Sequence, residues 1–151
     1  MPQPAWRVSE SEALARSAGV LTYSATSSAA PGRAWDLIAR PERWHEWAPH
    51  IRGAWGLGSP EVVTGRLGAV RLFGVLPVPA RIVGKRPGRE WAWRVGPAVL
   101  VHRVSPRRAG GCVVAVDITA PGPVEAALGA TYGPLVRQLV RRLARVAEEG
   151  G

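Results

Sequence analysis

The sequence has little of what builds disulfide frameworks or membrane spans. Its 151 residues include one cysteine, Cys112, which cannot form an internal disulfide and so excludes the disulfide-rich secreted class. No apolar run is long enough to cross a bilayer, because arginine or proline interrupts each one. Residues 1–19 lack the apolar centre of a signal peptide. We therefore expect a cytoplasmic protein with no membrane-spanning segment.

Histidine is scarce as well, and two of the three histidines flank a glutamate. A zinc-protease helix needs H-E-x-x-H, which places two imidazoles one turn apart, whereas residues 45–50 read H-E-x-x-x-H. Five helical residues turn through about 500°, so His45 and His50 would diverge by about 140°. Pro49 also disfavours helical geometry in the residue before it. We expect no metal site and no cofactor.

Lysine is almost absent, with Lys85 alone beside 19 arginines and a net charge of +9. Such a charge can indicate a nucleic-acid or anionic-membrane partner. The arginines are scattered, however, and no basic stripe stands out. A compositional bias toward arginine, alanine, glycine and proline explains the charge better. RNA or ribosome binding remains the weaker alternative, and nothing in the sequence sets the oligomeric state.

The abundant residues are apolar, at 46% against 21% charged, which is typical of a globular domain. A chain of this length suits one domain with a real core. We expect a polar N-terminal leader over residues 1–19 and a single ligand-binding domain over residues 20–149.

The order of elements along the chain predicts an α+β fold. Residues 20–28 have the β-branched and aromatic content of a strand. Two short helices follow, in AAPGRAWDLIAR and PERWHEW, each beginning at a proline and stopped by the next one. Turn signals then recur over residues 51–121, as in an antiparallel meander. An amphipathic helix from about Leu135 to Ala147 closes the chain, with its apolar residues in an arc of about 140°.

Two-residue alternation assigns the inward faces of the strands. Trp91 and Trp93 share one face of REWAWRV. In CVVAVDIT, the alternate residues that include Asp117 are predicted to point outward. The other set is predicted to point inward and consists of Cys112, Val114, Val116 and Ile118. The run AVLVHRVS is apolar on both faces, so its periodicity does not place His102.

The segment APGRAWDLIARPERWHEWAP resembles the START-like polyketide cyclase/dehydrase superfamily, also called SRPBCC. Members of that superfamily carry a proline, a tryptophan-containing helix and then a D/R-P-x-R-W-x-x-W-x-P segment. The later PGREWAWRV, VHRVSP and YGPLVRQLVRRL also look like that family's strands and closing helix, so the resemblance covers about residues 20–147. It implies a helix-grip fold: a curved seven-stranded antiparallel sheet wraps the long C-terminal helix and leaves an internal cavity.

The resemblance implies binding or transport of a small hydrophobic or aromatic ligand, such as a lipid, a polyketide or a quinone-like molecule. We expect Trp44 and Trp47 to form an aromatic plug between solvent and cavity, with His45 and Glu46 solvated. The predicted ligand-binding residues are Trp44, Trp47, Phe73, Leu76, Ile82, Trp91, Trp93, Leu100, His102, Leu128 and Tyr132.

Either Arg66 or Arg71 could orient a carboxylate or phenolate if its strand runs unbroken through the cavity. The opposing interpretation is that a bulge turns both arginines outward. Likewise, Trp91 and Trp93 could fill the interior completely instead of lining a cavity.

The alternative function is that of an enzyme like the superfamily's aromatase/cyclases. His102 would be the catalytic base, and Tyr132 or an inward arginine would polarise a carbonyl. His102 could equally be a core histidine hydrogen-bonded to backbone. No second inward carboxylate or histidine completes an acid–base pair, so the sequence leaves open whether any reaction is catalysed.

Overall fold

The computed structural model describes residues 20–149, except the side chains of Glu125 and Leu128. The leader predicted over residues 1–19 lies outside the described residues. The strands are β1 (Val20–Ser27), β2 (Ile51–Trp55), β3 (Leu67–Leu72), β4 (Leu76–Arg86), β5 (Glu90–Val95), β6 (Ala98–Pro106) and β7 (Cys112–Thr119). The helices are α1 (Pro31–Ala39), a 3-10 helix (Pro41–Glu46), α2 (Gly122–Thr131) and α3 (Gly133–Glu149). Among these helices, none is long and apolar enough to span a membrane.

The strands form one seven-stranded antiparallel sheet in the order β1-β7-β6-β5-β4-β3-β2. From β2 to β7 each strand pairs with the next one in sequence, which is the predicted meander, and β1 pairs with β7. The register shifts between Ile51 and Gly53 and between Ile82 and Gly84. Such bulges bend strands and increase their twist. The predicted helix-grip fold is confirmed.

The long helix α3 packs in the curve of the sheet. Its buried residues follow helical spacing and include Val136, Leu139, Val140 and Leu143, so the predicted apolar face is confirmed at its centre. The helix begins at Gly133, followed by proline, which suits a helix's first turn. Tyr132 therefore lies in the break between α2 and α3 rather than on a continuous helix.

The two short helices after β1 begin at Pro31 and Pro41, as predicted, and the second is a 3-10 helix. Helix α1 buries the side chains of Trp35, Leu37 and Ile38 against the rest of the core. The Leu37 and Ile38 carbonyl groups near its C-terminal end accept hydrogen bonds from buried tryptophans.

The edge of the sheet depends on a close backbone approach at Gly68 in β3. A Cβ at this position would meet the Trp55 carbonyl oxygen and the Gly56 backbone. We expect Gly68→Ala to lower the free energy of unfolding by about 1–3 kcal/mol, as overpacking usually does. Gly53→Ala is the control, because its Cβ would meet nothing within 4 Å, and a change within about 0.5 kcal/mol is expected. Equal losses in urea denaturation would contradict this explanation.

Candidate functional site

Four rings form an aromatic cluster in the interior: Trp44, Trp91, Trp93 and His102. Trp91 is stacked with Trp44, with ring centroids 5.5 Å apart, and with His102 at 4.0 Å. Trp93 meets all three rings edge-on. The strand register explains this arrangement, because Trp91 on β5 lies directly opposite His102 on β6, and opposite residues point to the same face of a sheet.

Three indoles are fixed by the end of helix α1. Trp44 and Trp91 both donate an Nε1–H to the Ile38 carbonyl at 2.9 Å. Trp47 donates to the Leu37 carbonyl, also at 2.9 Å. The last carbonyl groups of a helix have no partner within the helix, so the three indoles together satisfy two acceptors that would otherwise be buried alone. These contacts orient the rings and tie α1 to the sheet.

Two adjoining chambers lie on the inner face of the sheet, and residues of α3 line only the inner one. The inner chamber, between the aromatic cluster and α3, holds about 50 Å³, and the outer chamber holds about 230 Å³. The two share His50, Ile51, Trp93, Leu100 and Tyr132. A dry apolar cavity of about 150 Å³ is enough to bind benzene. The indoles therefore nearly fill the inner chamber, whereas the outer chamber can accept a one- or two-ring guest.

The cavity wall is almost entirely apolar. None of the described residues that line either chamber is an arginine, a lysine or a carboxylate. Burial lowers the pKa of His102 from 6.5 to about 3, although a hydrogen bond with the Trp91 backbone opposes this shift. Burial also lowers the pKa of His50 and raises that of Tyr132. All three groups are thus held in their neutral forms.

Most of the predicted ligand-binding residues meet at this cavity. Seven line a chamber: Trp44, Trp47, Trp91, Trp93, Leu100, His102 and Tyr132. Ile82 is fully buried in the core but is not part of either chamber wall. The side chain of Leu128 lies outside the described residues. His102, which periodicity left unplaced, points inward and is 5% exposed.

Two predicted ligand-binding residues, Phe73 and Leu76, lie outside the cavity, so placing them there was wrong. Phe73 lies in the turn between β3 and β4, and Leu76 is the first residue of β4, where it pairs with Leu72. Phe73 is 69% exposed, with a positive φ of 54°, and Leu76 is 54% exposed. Both residues therefore stand at the exposed end of the β3–β4 hairpin, and neither lines a chamber.

Neither candidate arginine reaches the cavity. Arg66 precedes β3 and is exposed. Arg71 is exposed on the opposite face of β3, with its guanidinium carbon 5.7 Å from the centre of the Trp55 ring. Val70 and Leu72 occupy the inward positions of the strand and line the outer chamber. Simple alternation, and not a bulge in β3, turns Arg71 away.

The predicted aromatic plug is wrong for Trp44, which is 1% exposed and lies within the aromatic cluster. Trp47 is also buried and lines the inner chamber. His45 is exposed, as expected. Glu46 is half-buried instead of solvated, because Arg43 donates to both of its carboxylate oxygens at 2.8 and 3.0 Å. That hydrogen-bonded pair holds the pKa of Glu46 below its usual range.

Several lining residues were not among the predicted ones, although strand alternation or helical spacing had marked some of them as inward. Val78 is inward in VPARIV, and Val116 and Ile118 belong to the face of β7 that was predicted to be inward, yet none was assigned to the site. His50 carried no such signal, because it lies in the connection between the 3-10 helix and β2.

Comparison with known proteins identifies a matching family and several similar folds. Residues 19–148 match the family model described as polyketide cyclase/dehydrase and lipid transport. The fold is similar to that of a Mesorhizobium loti protein (TM-score 0.68, 13% identity, covering 88% of this chain and 99% of that one). It is also similar to a putative protein in the dynemicin biosynthetic locus (TM-score 0.62, 20% identity, 82% and 46%). These likenesses concern the fold alone, and no curated protein matches the sequence.

Proposed function

The chain belongs to the polyketide cyclase/dehydrase and lipid transport family, and we propose that it binds or transports a small hydrophobic or aromatic molecule in the cavity on the inner face of the sheet. The outer chamber carries this proposal. Its volume of about 230 Å³ suits a small aromatic guest, and its walls are apolar with a few polar groups, as in most small-molecule sites.

The geometry favours binding over acid–base catalysis. A general base works best when its pKa lies near the operating pH, whereas burial lowers the pKa of His102 to about 3. Arg66 and Arg71, the arginines considered for polarising a carbonyl, are exposed outside the cavity. Among the described lining residues no carboxylate accompanies His102. The aromatase/cyclase hypothesis therefore has the weaker support.

A bulky side chain placed in the outer chamber should block binding. Val78 on β4 lines this chamber and is half-buried, so Val78→Trp would occupy the space of the guest. We expect the affinity for 2-naphthol to fall by about tenfold or more, as lost apolar contact predicts. The affinity is measured by isothermal titration calorimetry, with circular dichroism confirming that the variant is folded.

Arg81→Trp is the matched control, because Arg81 lies three residues away on the same strand and is exposed. It should bind 2-naphthol as the parent protein does. Equal affinity of folded Val78→Trp and Arg81→Trp would contradict binding in the outer chamber. A parent protein that does not bind 2-naphthol at all would contradict the proposed function itself.

A further inference from the structure

The cavity residues contain an unusual concentration of unpartnered polar atoms. Three buried side-chain nitrogen atoms in residues that line the cavity have no hydrogen-bond partner within residues 20–149. They are His50 Nδ1, Trp93 Nε1 and His102 Nδ1. Leaving buried polar groups unpaired costs free energy, and nearly all such groups in native proteins have partners. Their concentration here points to a partner that the ligand supplies.

Trp93 is the most informative of the three residues. The other indoles of the cavity, those of Trp44, Trp47 and Trp91, each donate to a carbonyl of helix α1. Trp93 lines both chambers and has no such acceptor among the described residues. Because an indole N–H can only donate a hydrogen bond, its missing partner must be an acceptor. A ligand oxygen where the chambers meet would also be near His102, whose ring centre lies 5.7 Å from that of Trp93.

The charge of the ligand is limited by the same walls. Among the described lining residues there is no cation to pair with a carboxylate or phosphate, and no carboxylate to pair with an amine. Burying an unpaired ion is far more costly than burying a neutral polar group. Arg66 and Arg71 are exposed outside the cavity, so neither can pair with an anionic ligand inside it.

We infer that the cavity selects an electrically neutral molecule whose oxygen accepts a hydrogen bond from Trp93 Nε1. Ketones, ethers, alcohols and phenols with an aromatic or aliphatic body meet this description. Fatty acids, acidic aromatics and phosphate esters do not, because their charge would enter the cavity unpaired. This inference rests on the proposed function and names the ligand class for the same cavity.

Three one-ring compounds of similar shape test the inference: acetophenone, ethylbenzene and benzoate. They present a neutral acceptor, no acceptor and an anionic acceptor, respectively. By calorimetry at pH 7, acetophenone should bind roughly fivefold more tightly than ethylbenzene, since it adds one hydrogen bond. Benzoate should bind roughly 100-fold more weakly than acetophenone, since its charge is unpaired.

Trp93→Phe isolates the role of the indole N–H, because it removes the donor and keeps an aromatic ring. The preference for acetophenone over ethylbenzene should fall to about one in this variant. Trp55→Phe is the control, because Trp55 is exposed outside the cavity, and it should keep the parent preference. If Trp93→Phe does not fold, the indole N–H resonance of Trp93 in the parent protein gives the second measurement. Acetophenone should shift this resonance and ethylbenzene should leave it nearly unchanged.

The outcomes separate the two proposals. Benzoate binding as tightly as acetophenone would overturn the selection of electrically neutral ligands and leave the proposed function standing. Equal binding of acetophenone and ethylbenzene, or an unchanged preference in Trp93→Phe, would overturn the role of Trp93. Failure of all three compounds and of 2-naphthol to bind would overturn the proposed function and this inference with it.

Discussion

Trp91→Ala is expected to lower the free energy of unfolding by about 3–5 kcal/mol, the usual cost of truncating a buried tryptophan. Trp91 is 1% exposed, and its ring stacks with both Trp44 and His102. Its Nε1–H also donates to the Ile38 carbonyl. The substitution would therefore leave a void in the aromatic cluster and remove a contact that joins β5 to helix α1.

Urea denaturation followed by circular dichroism measures this loss. Trp55→Ala is the matched control, because Trp55 is 47% exposed on the edge strand β2. Its ring contacts the guanidinium of Arg71, an exposed contact worth about 0.5–1 kcal/mol. Similar losses for the two variants would contradict a central role for Trp91 in stability.

The inward position of Trp91 was predictable because Trp91, Trp93 and Val95 fall on one phase of β5, whereas Glu90 and Arg94 fall on the other. The same period of two placed Cys112, Val114, Val116 and Ile118 inward on β7, and the structure buries all four. Prolines at 31 and 41 likewise marked where the short helices begin. These features are local, since each depends on a few adjacent residues and on elementary strand or helix geometry.

The orientation of His102 could not be read from its own strand. β6 lies inside the sheet, and Val99 and Val101 on its outer face pack with Ala92 in a second apolar cluster. Both faces of β6 are therefore apolar, and alternation does not show which of its residues point inward. What points His102 inward is its pairing with Trp91, which depends on where the turn between β5 and β6 falls.

The cavity walls were only partly predictable for a related reason. Phe73 and Leu76 are apolar, as a cavity wall requires, but Phe73 falls in the β3–β4 turn and Leu76 at the exposed first position of β4. A shift of a few residues in the position of a turn decides whether a side chain lines the cavity or is exposed to solvent. The volume of the outer chamber is set by residues on six strands together with His50 and Tyr132, so no single segment of the sequence encodes it.

His102 should make the protein less stable in acid. Its pKa is about 3 in the folded protein and close to 6.5 in an unfolded chain. Above pH 6.5 neither state is protonated at this residue. As the pH falls from 6.5 toward 3, the unfolded chain binds a proton that the folded protein does not, and stability is lost by about 1.4 kcal/mol per pH unit. The contribution of His102 alone should amount to about 3 kcal/mol at pH 4.

His102→Phe tests this effect, because phenylalanine keeps a ring against Trp91 and cannot titrate. The measurement is the free energy of unfolding from urea curves at pH 7 and at pH 4. The loss between these pH values should be smaller in the variant by about 3 kcal/mol. Contributions from His50 and Glu46, whose folded pKa values are also lowered, are present in both proteins and cancel. Parallel pH profiles would mean that His102 takes up its proton in the folded state, and so is reached by water or by an acidic partner in the cavity.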